Sequence, residues 1–280
     1  MACQRLCFGT AAGCFGASTC HWPACFICCP NHHVRVLVVL PTYNEAENIA
    51  LLIPELLALP LDICVVDDAS PDGTGQLADG WAAREPRVRV IHRAGKLGLG
   101  TAYVAGFRYA LNHDYDAALT MDADFSHHPR YIPAMLEVAG RADLVIGSRY
   151  VPGGEVLYPL HRRFLSKTAN AVARAALGLR PHDCTAGFRL YRAPVLRTVP
   201  IDSIFSNGYS FLIEMLNLVQ GFGFSIAEVP IVFEDRVRGH SKISSAEIGR
   251  AAYTVSRLAY RRLRDRLIGP PEARRSPRKS

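Results

Sequence analysis

Several features that would assign a function class are missing from this chain of 280 residues. It contains no run of about 20 apolar residues, so we expect no helix that crosses a membrane. Tyr103 stands where a dinucleotide-binding loop that begins at Gly98 requires glycine or alanine. The pair Gly95-Lys96 lacks the flanking residues of a phosphate-binding P-loop. We therefore expect neither common nucleotide loop and assign these glycines to helix–strand packing.

Cysteine is scarce outside the start of the chain. Seven of the nine cysteines precede residue 30, which leaves only Cys64 and Cys184 for the remainder. A domain so poor in cysteine is typical of a reducing, cytosolic compartment. We expect residues 1–33 to be a Cys-rich, disordered leader, with a secretion signal or a zinc site as less favoured alternatives. That zinc site would use Cys25, Cys28 and His32 or His33.

Positive charge is in excess, with a formal net charge of +7. A basic chain favours an anionic partner, which is nucleic acid, anionic lipid or a phosphorylated substrate. The excess is concentrated late, in residues 256–267 and 271–280. No nucleic-acid recognition motif accompanies this charge, so we expect no nucleic-acid partner.

Strand and helix patterns alternate between residues 34 and 148. Apolar runs typical of buried strands occur at 34–40, 61–66, 87–92, 116–121 and 143–148. Helical patterns separate these runs, and Asn44 with Glu47 three residues later predicts a capping box at the first helix. Such alternation predicts an α/β fold, with a mostly parallel, doubly wound sheet and helices on both faces.

Two Asp-x-Asp segments flank the predicted strand 116–121. Asp114 and Asp116 lie at its start, whereas Asp122 and Asp124 follow its end. Doubly wound sheets bind ligands beyond the carboxyl ends of their strands, so only the second pair lies at the ligand edge. Because carboxylates are costly to desolvate, this pair either solvates a loop or holds a cation. Hard Mg²⁺ or Mn²⁺ would accept such oxygen ligands and keep its other positions for water and phosphate.

Further residues follow the strands at the same predicted edge. They are Pro41, Tyr43, Asn44 and Glu45 after the first strand, Asp67 and Asp68 after the second, and Ser148, Arg149 and Tyr150 after the fifth. A cluster of acids beside an arginine is expected where a metal ion and phosphates lie between them, because the acids alone would repel one another. His127 and His128 are either metal ligands or part of the loop that enters a helix at Pro129.

The last predicted helix, 244–268, is basic and amphipathic. Its apolar residues are Ile248, Val255, Leu258 and Leu263, and they alternate with Arg250, Arg257, Arg261, Arg262 and Arg264. A helix of this kind binds a membrane surface, or packs on the core with a solvated basic face, and both interpretations stay open. We expect residues 269–280 to form a disordered basic tail.

Eight segments together resemble one family, the GT-A-type glycosyltransferases of family 2 that make polyprenyl phosphate sugars. They are "PTYNEAEN", "VVDDASPDGTG", "KLGLGTAY", "MDADFSHHP", "GSRYVPGG", "LSKTAN", "CTAGFRLYR" and "DRVRGHSK". The likeness runs from Val34 to Lys242 and is strongest to the soluble actinobacterial form of the polyprenol-phosphate (dolichol-phosphate) mannosyltransferases. It implies a GT-A nucleotide-diphospho-sugar transferase fold over residues 34–243.

The resemblance also implies contacts for two substrates. The guanosine would be held by Pro41, Tyr43, Glu45, Val66 and Asp68. Asp122, Ala123 and Asp124 would meet the phosphates and ribose of GDP-mannose, with Asp122 and Asp124 also at Mg²⁺ or Mn²⁺. Phosphate contacts would come from Arg149, Arg236 and Lys242, with Arg162 and Ser166 as further substrate contacts. Ser126 stands where some relatives have a glutamine that reaches the metal, so we expect water at that position.

The implied reaction is the metal-dependent, inverting transfer of mannose from GDP-mannose to a polyprenyl monophosphate, with Asp122, Asp124 and Arg149 as catalytic residues. A phosphate monoester is already ionised near neutral pH, so the acceptor needs no strong general base. Transfer of glucose or another sugar, and a non-catalytic membrane-binding module, are the alternatives. We expect a cytoplasmic protein, peripheral on the membrane surface, and a separate membrane-anchoring subunit is left open.

Overall fold

The computed structural model describes residues 34–157, 160–234 and 245–268. The predictions for the leader 1–33, the tail 269–280, Arg236 and Lys242 lie outside the described residues. The side chain of Arg162 is also outside them.

Nine strands occur in the described residues. They are β1 (Val36–Thr42), β2 (Asp62–Asp67), β3 (Val88–His92), β4 (Ala117–Thr120), β5 (Leu144–Ser148), β6 (Glu155–Val156), β7 (Arg189–Arg192), β8 (Ile226–Pro230) and β9 (Val232–Phe233). Seven of them form one sheet in the order β3-β2-β1-β4-β7-β5-β8, while β6 and β9 pair separately. Only β7 runs antiparallel to its neighbours, β4 and β5. The prediction of a mostly parallel sheet is therefore confirmed.

The helices cover both faces of this sheet, as the sequence predicts. They are α1 (Ala46–Leu57), α2 (Thr74–Ala82), α3 (Leu99–Asn112), α4 (Ile132–Ala139), α5 (Leu160–Leu177), α6 (Ala193–Thr198), α7 (Tyr209–Gly221) and α8 (Ser245–Ile268). Alternate side chains of a strand point to opposite faces. Leu37 and Val39 accordingly join one apolar cluster, with residues of α3 and α7, whereas Val38 and Leu40 join another, with residues of α1 and α4.

The predicted capping box at the first helix is wrong. Asn44 has φ +61° and lies in the left-handed region, and α1 begins at Ala46 without a side-chain cap. The neighbouring loop satisfies the free donors instead, because the Glu45 amide donates to Thr74 Oγ1 and the Ala46 amide to Asp72 Oδ2. A helix N-terminus favours such a carboxylate. A tertiary contact thus replaces the local cap that the sequence predicts.

The two Asp-x-Asp segments lie at opposite edges of the sheet. Asp116 accepts a hydrogen bond from the Arg35 amide just before β1, at the amino end of the parallel strands. Asp122 and Asp124 follow β4, at the carboxyl end. The two segments have the same spacing of aspartates, so only their position before or after the strand indicates which of them lies at the ligand edge.

The C-terminal helix α8 packs on the core. Val255 and Leu258 are buried in the same cluster as residues of α5 and α7, which confirms core packing for this side of the helix. Leu263, in contrast, is exposed. None of the described helices is both long enough and apolar enough to cross a membrane.

Candidate active site

A cavity of about 570 Å³ opens at the carboxyl edge of the sheet, between the ends of β1, β2 and β4. It brings together most of the residues that were predicted to hold the donor. They are Pro41, Tyr43, Glu45, Asp68, Asp122, Ala123 and Asp124. Val66 does not line it, because its side chain is fully buried in the core beneath. The parallel strands explain this convergence, since their carboxyl ends meet at one edge.

The acidic pair after β4 is held by its own loop. Asp124 is buried, and its Oδ1 accepts hydrogen bonds from the Ser126 amide at 3.1 Å and from Ser126 Oγ at 2.5 Å. Ser126 therefore orients Asp124, a role that the sequence did not indicate. Asp122 is more exposed and faces the cavity, where the Tyr103 hydroxyl lies 3.4 Å from its Oδ1.

The two histidines of this loop accept hydrogen bonds from backbone amides. His127 is buried, and its Nδ1 accepts a hydrogen bond from the Asp122 amide at 3.0 Å. Burial lowers the pKa of His127 despite the nearby Asp122 and Asp124, which agrees with an unprotonated Nδ1. His128 Nδ1 accepts from the Arg130 amide and caps the short helix that follows. Both contacts favour the helix-entry interpretation over metal ligation through Nδ1.

The two acids after β2 have different surroundings. Asp67 is buried and accepts from Thr42 Oγ1 at 2.9 Å and from Ser70 Oγ at 2.5 Å, so it ties β1 to the turn. Asp68 lines the cavity and pairs with Arg93. Its Oδ2 also accepts from the amides of Leu97 and Gly98, at 3.2 and 3.3 Å. Asp68 therefore fixes the loop that forms one wall of the cavity.

Two cations in the cavity wall were not predicted as site residues. Lys96 lies in the loop that Asp68 fixes, with Nζ 4.1 Å from the centre of the Tyr43 ring. Arg250 reaches the cavity from α8. The segment "KLGLGTAY" contains Lys96 and was a signal for it, whereas nothing local marks Arg250 among the arginines of its helix. Cations beside carboxylates suit a diphosphate that carries a divalent ion.

The loop before α7 continues this wall of the cavity. Glu214 is buried and accepts from the Ser206 amide and from Ser206 Oγ, which orders the residues just before Asn207. Gly98 packs against this loop, and a Cβ there would lie 2.6 Å from Asn207 Nδ2. Its φ of +97° also favours glycine. Gly98 therefore has a packing role, but it packs against a loop and not between a helix and a strand as the sequence predicts.

A second cavity, of about 280 Å³, contains the predicted Arg149. Arg149 forms a two-pronged ion pair with the buried Asp183, with Nε–Oδ2 at 2.7 Å and Nη2–Oδ1 at 2.8 Å. Burial raises the pKa of Asp183, but the Arg149 charge and its hydrogen bonds prevail and hold the pKa below its usual value. Arg149 is therefore a fixed cation, and it does not line the cavity of Asp122 and Asp124.

Helix α5 supplies most of the positive charge of the second cavity. Arg163, Lys167 and Arg174 line it together with Asn170, at helical spacings that place all four on one side. The predicted Ser166 lies close by and accepts a hydrogen bond from the Tyr150 hydroxyl at 2.7 Å. Four cations line this cavity, namely Arg149, Arg163, Lys167 and Arg174, so its lining favours an anionic ligand.

A chain of contacts through His127 and Phe233 connects the two cavities. His127, which holds the Asp122 amide, packs edge-on against Phe233 with ring centres 5.4 Å apart. The Arg149 guanidinium lies 5.3 Å from the centre of the same Phe233 ring. The structure thus places an acidic cavity next to a basic one, which is a suitable arrangement for joining two phosphorylated substrates.

Comparison with known proteins identifies the family of this chain. The family model for glycosyl transferase family 2 matches residues 37–199. A relative from Micrococcus luteus named undecaprenyl-phosphate mannosyltransferase is 48% identical over 80% of this chain and 93% of its own. Polyprenol monophosphomannose synthase of Mycolicibacterium smegmatis is 47% identical over 84% and 91%. The chain belongs to glycosyl transferase family 2 and is a glycosyltransferase.

Solved structures agree on the fold. Glucosyl-3-phosphoglycerate synthase from Mycobacterium tuberculosis, in complex with Mn²⁺, UDP and glucosyl-3-phosphoglycerate, gives a TM-score of 0.55 at 23% identity, over 84% of this chain and 81% of the other. Its complex with UDP gives 0.57 at 22% identity, over 81% and 80%. At this identity the likeness establishes the GT-A fold alone.

Proposed function

We propose that this glycosyltransferase moves mannose from GDP-mannose to a polyprenyl monophosphate, with inversion at the sugar C1. The observation that carries the proposal is that His127 and Phe233 connect the carboxylate cavity to the cavity around Arg149. The names of the two relatives at 47% and 48% identity support the sugar and the lipid acceptor.

The donor fits the carboxylate cavity. Tyr43, Glu45 and Asp68 would hold the nucleoside, and the cations Lys96 and Arg250 would face its phosphates. Asp122 and Asp124 would hold Mg²⁺ or Mn²⁺, which would supply positive charge to the departing diphosphate. The atoms that Asp122 and Asp124 offer to the ion are carboxylate oxygens, which Mg²⁺ and Mn²⁺ accept as ligands. The described residues contain no group of three His, Cys, Asp or Glu side chains around one point, which suits a cation completed by water and substrate phosphate.

The acceptor fits the basic cavity. Arg149, Arg163, Lys167 and Arg174 would bind the lipid monophosphate and turn one oxygen toward the sugar C1. A second pKa near 6 leaves a phosphate monoester mostly dianionic at neutral pH, so no side chain has to remove a proton. That oxygen attacks C1 as the bond from C1 to the diphosphate oxygen breaks, and GDP leaves. Arg236 and Lys242, outside the described residues, are proposed as further phosphate contacts.

Incubation of the purified protein with labelled GDP-mannose, a polyprenyl phosphate and Mg²⁺ or Mn²⁺ tests the proposal. We expect the label to enter an acidic glycolipid that partitions into organic solvent, with a β-linked mannose if the donor is α-linked. A parallel incubation with UDP-glucose in place of GDP-mannose tests glucose as the alternative sugar. Product from UDP-glucose alone would contradict the assigned donor, and no lipid product from either would contradict the transfer.

Lys96→Gln is expected to raise the KM for the nucleotide sugar about tenfold, because a hydrogen bond to a charged group contributes about 1.5–3 kcal/mol. Initial rates at varied donor concentration measure it. Arg141→Gln removes an exposed cation from outside both cavities and is the matched control. An unchanged KM in Lys96→Gln would remove this residue from the donor site.

A further inference from the structure

The hydroxyl of Tyr103 points at the carboxylate of Asp122. Tyr103 lies on α3, and its side chain is fully buried. Among the residues that the structure describes, Asp122 is the hydrogen-bond partner of this hydroxyl, with 3.4 Å between the hydroxyl oxygen and Oδ1. A tyrosine hydroxyl keeps its proton at neutral pH, so here it donates to the carboxylate. Because a buried hydroxyl without a partner is costly, this contact favours one orientation of the hydroxyl.

The ring of Tyr103 is held in place by aromatic neighbours. It stacks with Phe107, with ring centres 6.3 Å apart, and lies tilted against Phe211 at 6.0 Å. Phe107 in turn packs edge-on against Tyr191 of β7, with ring centres 5.2 Å apart. The core therefore sets the position of the hydroxyl, independently of the loop that carries Asp122.

Gly187 leaves the space in which the hydroxyl meets Asp122. A Cβ at this position would lie 3.2 Å from the Tyr103 hydroxyl oxygen, 3.4 Å from His127 Cε1 and 3.6 Å from Asp122 Oδ1. Thr120 Oγ1, at the end of β4, donates to the Gly187 carbonyl oxygen at 2.7 Å. The glycine backbone is thus fixed to the strand that leads into Asp122, and a larger residue there would press on the hydroxyl.

The two acids after β4 are held in different ways. Asp124 accepts hydrogen bonds from Ser126 of its own loop. The amide of Asp122 donates to His127, which fixes the backbone at this residue, whereas its carboxylate accepts from Tyr103 on a separate element. The hydroxyl thus restricts the direction in which the Asp122 carboxylate points.

We propose that Tyr103 is a positioning residue for the divalent ion, and that its hydroxyl holds the Asp122 carboxylate in the orientation that binds this ion. Groups that orient a ligating carboxylate raise the affinity of a site for its metal. The inference rests on the proposed function, because it takes Asp122 as a ligand of the ion. Tyr103, which stands where a dinucleotide-binding loop requires a small residue, thus acts in a different kind of site.

Titration of the full chain with Mn²⁺, followed by its paramagnetic signal, tests the inference without either substrate. We expect Tyr103→Phe to raise the dissociation constant for Mn²⁺ about tenfold, because the carboxylate loses the donor that orients it. Phenylalanine keeps the ring packing, and Asp122 faces the cavity. The midpoint of urea unfolding should therefore stay close to that of the unaltered chain.

Tyr115→Phe is the matched control. Tyr115 is also buried, and its hydroxyl donates to Asp62 Oδ2 at 2.7 Å. This contact lies at the start of β2, at the opposite edge of the sheet from the carboxylate cavity. The variant likewise loses a hydrogen bond between a tyrosine and an aspartate, so it should lose at least as much stability as Tyr103→Phe. It should nevertheless bind Mn²⁺ as the unaltered chain does, which separates a role in folding from a role at the ion.

Two results would overturn the inference. The first is that Tyr103→Phe binds Mn²⁺ as tightly as Tyr115→Phe, while Asp124→Asn binds it more weakly. The ion site of the proposed function would then stand, and Tyr103 would have no part in it. The second is that the unaltered chain binds no Mn²⁺, in which case the proposed ion site fails and this inference fails with it.

Discussion

Replacing Asp124 with alanine is expected to lower turnover about a thousandfold or more, because Asp124 is proposed to hold the divalent ion whose positive charge would stabilise the departing diphosphate. Asp124 lines the carboxylate cavity and is buried, whereas Asp122 is more exposed. Alanine also leaves the amide and hydroxyl of Ser126 without their acceptor, which costs about 1–3 kcal/mol of stability. Asp124→Asn keeps the shape of the side chain and should lose activity with a smaller loss of stability.

A matched control for Asp124 exists within the same chain. Asp116 belongs to the other Asp-x-Asp segment, at the opposite edge of the sheet, so Asp116→Asn should keep full turnover. Titration with Mn²⁺, followed by its paramagnetic signal, gives a readout that does not depend on activity. We expect weaker Mn²⁺ binding in Asp124→Asn and unchanged binding in Asp116→Asn. Normal turnover in Asp124→Ala would contradict the site assignment.

Arg149→Met is expected to lower the free energy of unfolding by about 3–5 kcal/mol, because it leaves the buried carboxylate of Asp183 without its counter-charge. Urea unfolding measures this, and Arg149→Met/Asp183→Asn should regain part of the loss. Arg108 pairs with Asp202 at the exposed surface, so Arg108→Met should cost at most about 1 kcal/mol. A similarly small loss in Arg149→Met would contradict this account of the pair.

The pH dependence of unfolding gives a second check on this pair. Because the folded protein lowers the pKa of Asp183, the pair stabilises the fold fully above the unfolded pKa of about 3.9. That contribution is lost as the pH falls through the lowered pKa of the folded state. Without the charge and side-chain hydrogen bonds of Arg149, less opposes the effect of burial, so the pKa of Asp183 should rise and the protein should begin to lose stability at a higher pH. Neither readout depends on the proposed reaction.

The acids of the carboxylate cavity could be found from the sequence because each of them directly follows a predicted strand, which is a local signal. Apolar runs define the strands, and the residues at their carboxyl ends meet at one edge wherever strands are parallel. Asp122 and Asp124 follow β4 and are therefore predicted to lie at the ligand edge. Asp114 and Asp116 precede β4 and are therefore predicted to lie at the other edge. The order of the strands was not predictable in the same way, because the antiparallel β7 enters between β4 and β5 from a distant segment.

The basic cavity was predicted less well. Arg149 was identified as a phosphate contact, but its buried partner Asp183 lies 34 residues further along the chain, and no local pattern connects them. Arg162 was chosen from two adjacent arginines, and the described side chain that lines the cavity is that of Arg163. Which side of α5 faces inward depends on what the helix packs against.

The sequence by itself determined the alternation of strands and helices, the acids at the ligand edge and the family. The alternation and the acids follow from local periodicity and from residues that are close along the chain, and the family follows from the resemblance of the eight segments. Only the tertiary structure decided which two cavities form, that Lys96 and Arg250 reach the first, and that α8 turns Val255 and Leu258 inward but leaves Leu263 exposed. The physical reason is that a side chain's role depends on the surface packed against it, and that surface comes from residues far away in the sequence.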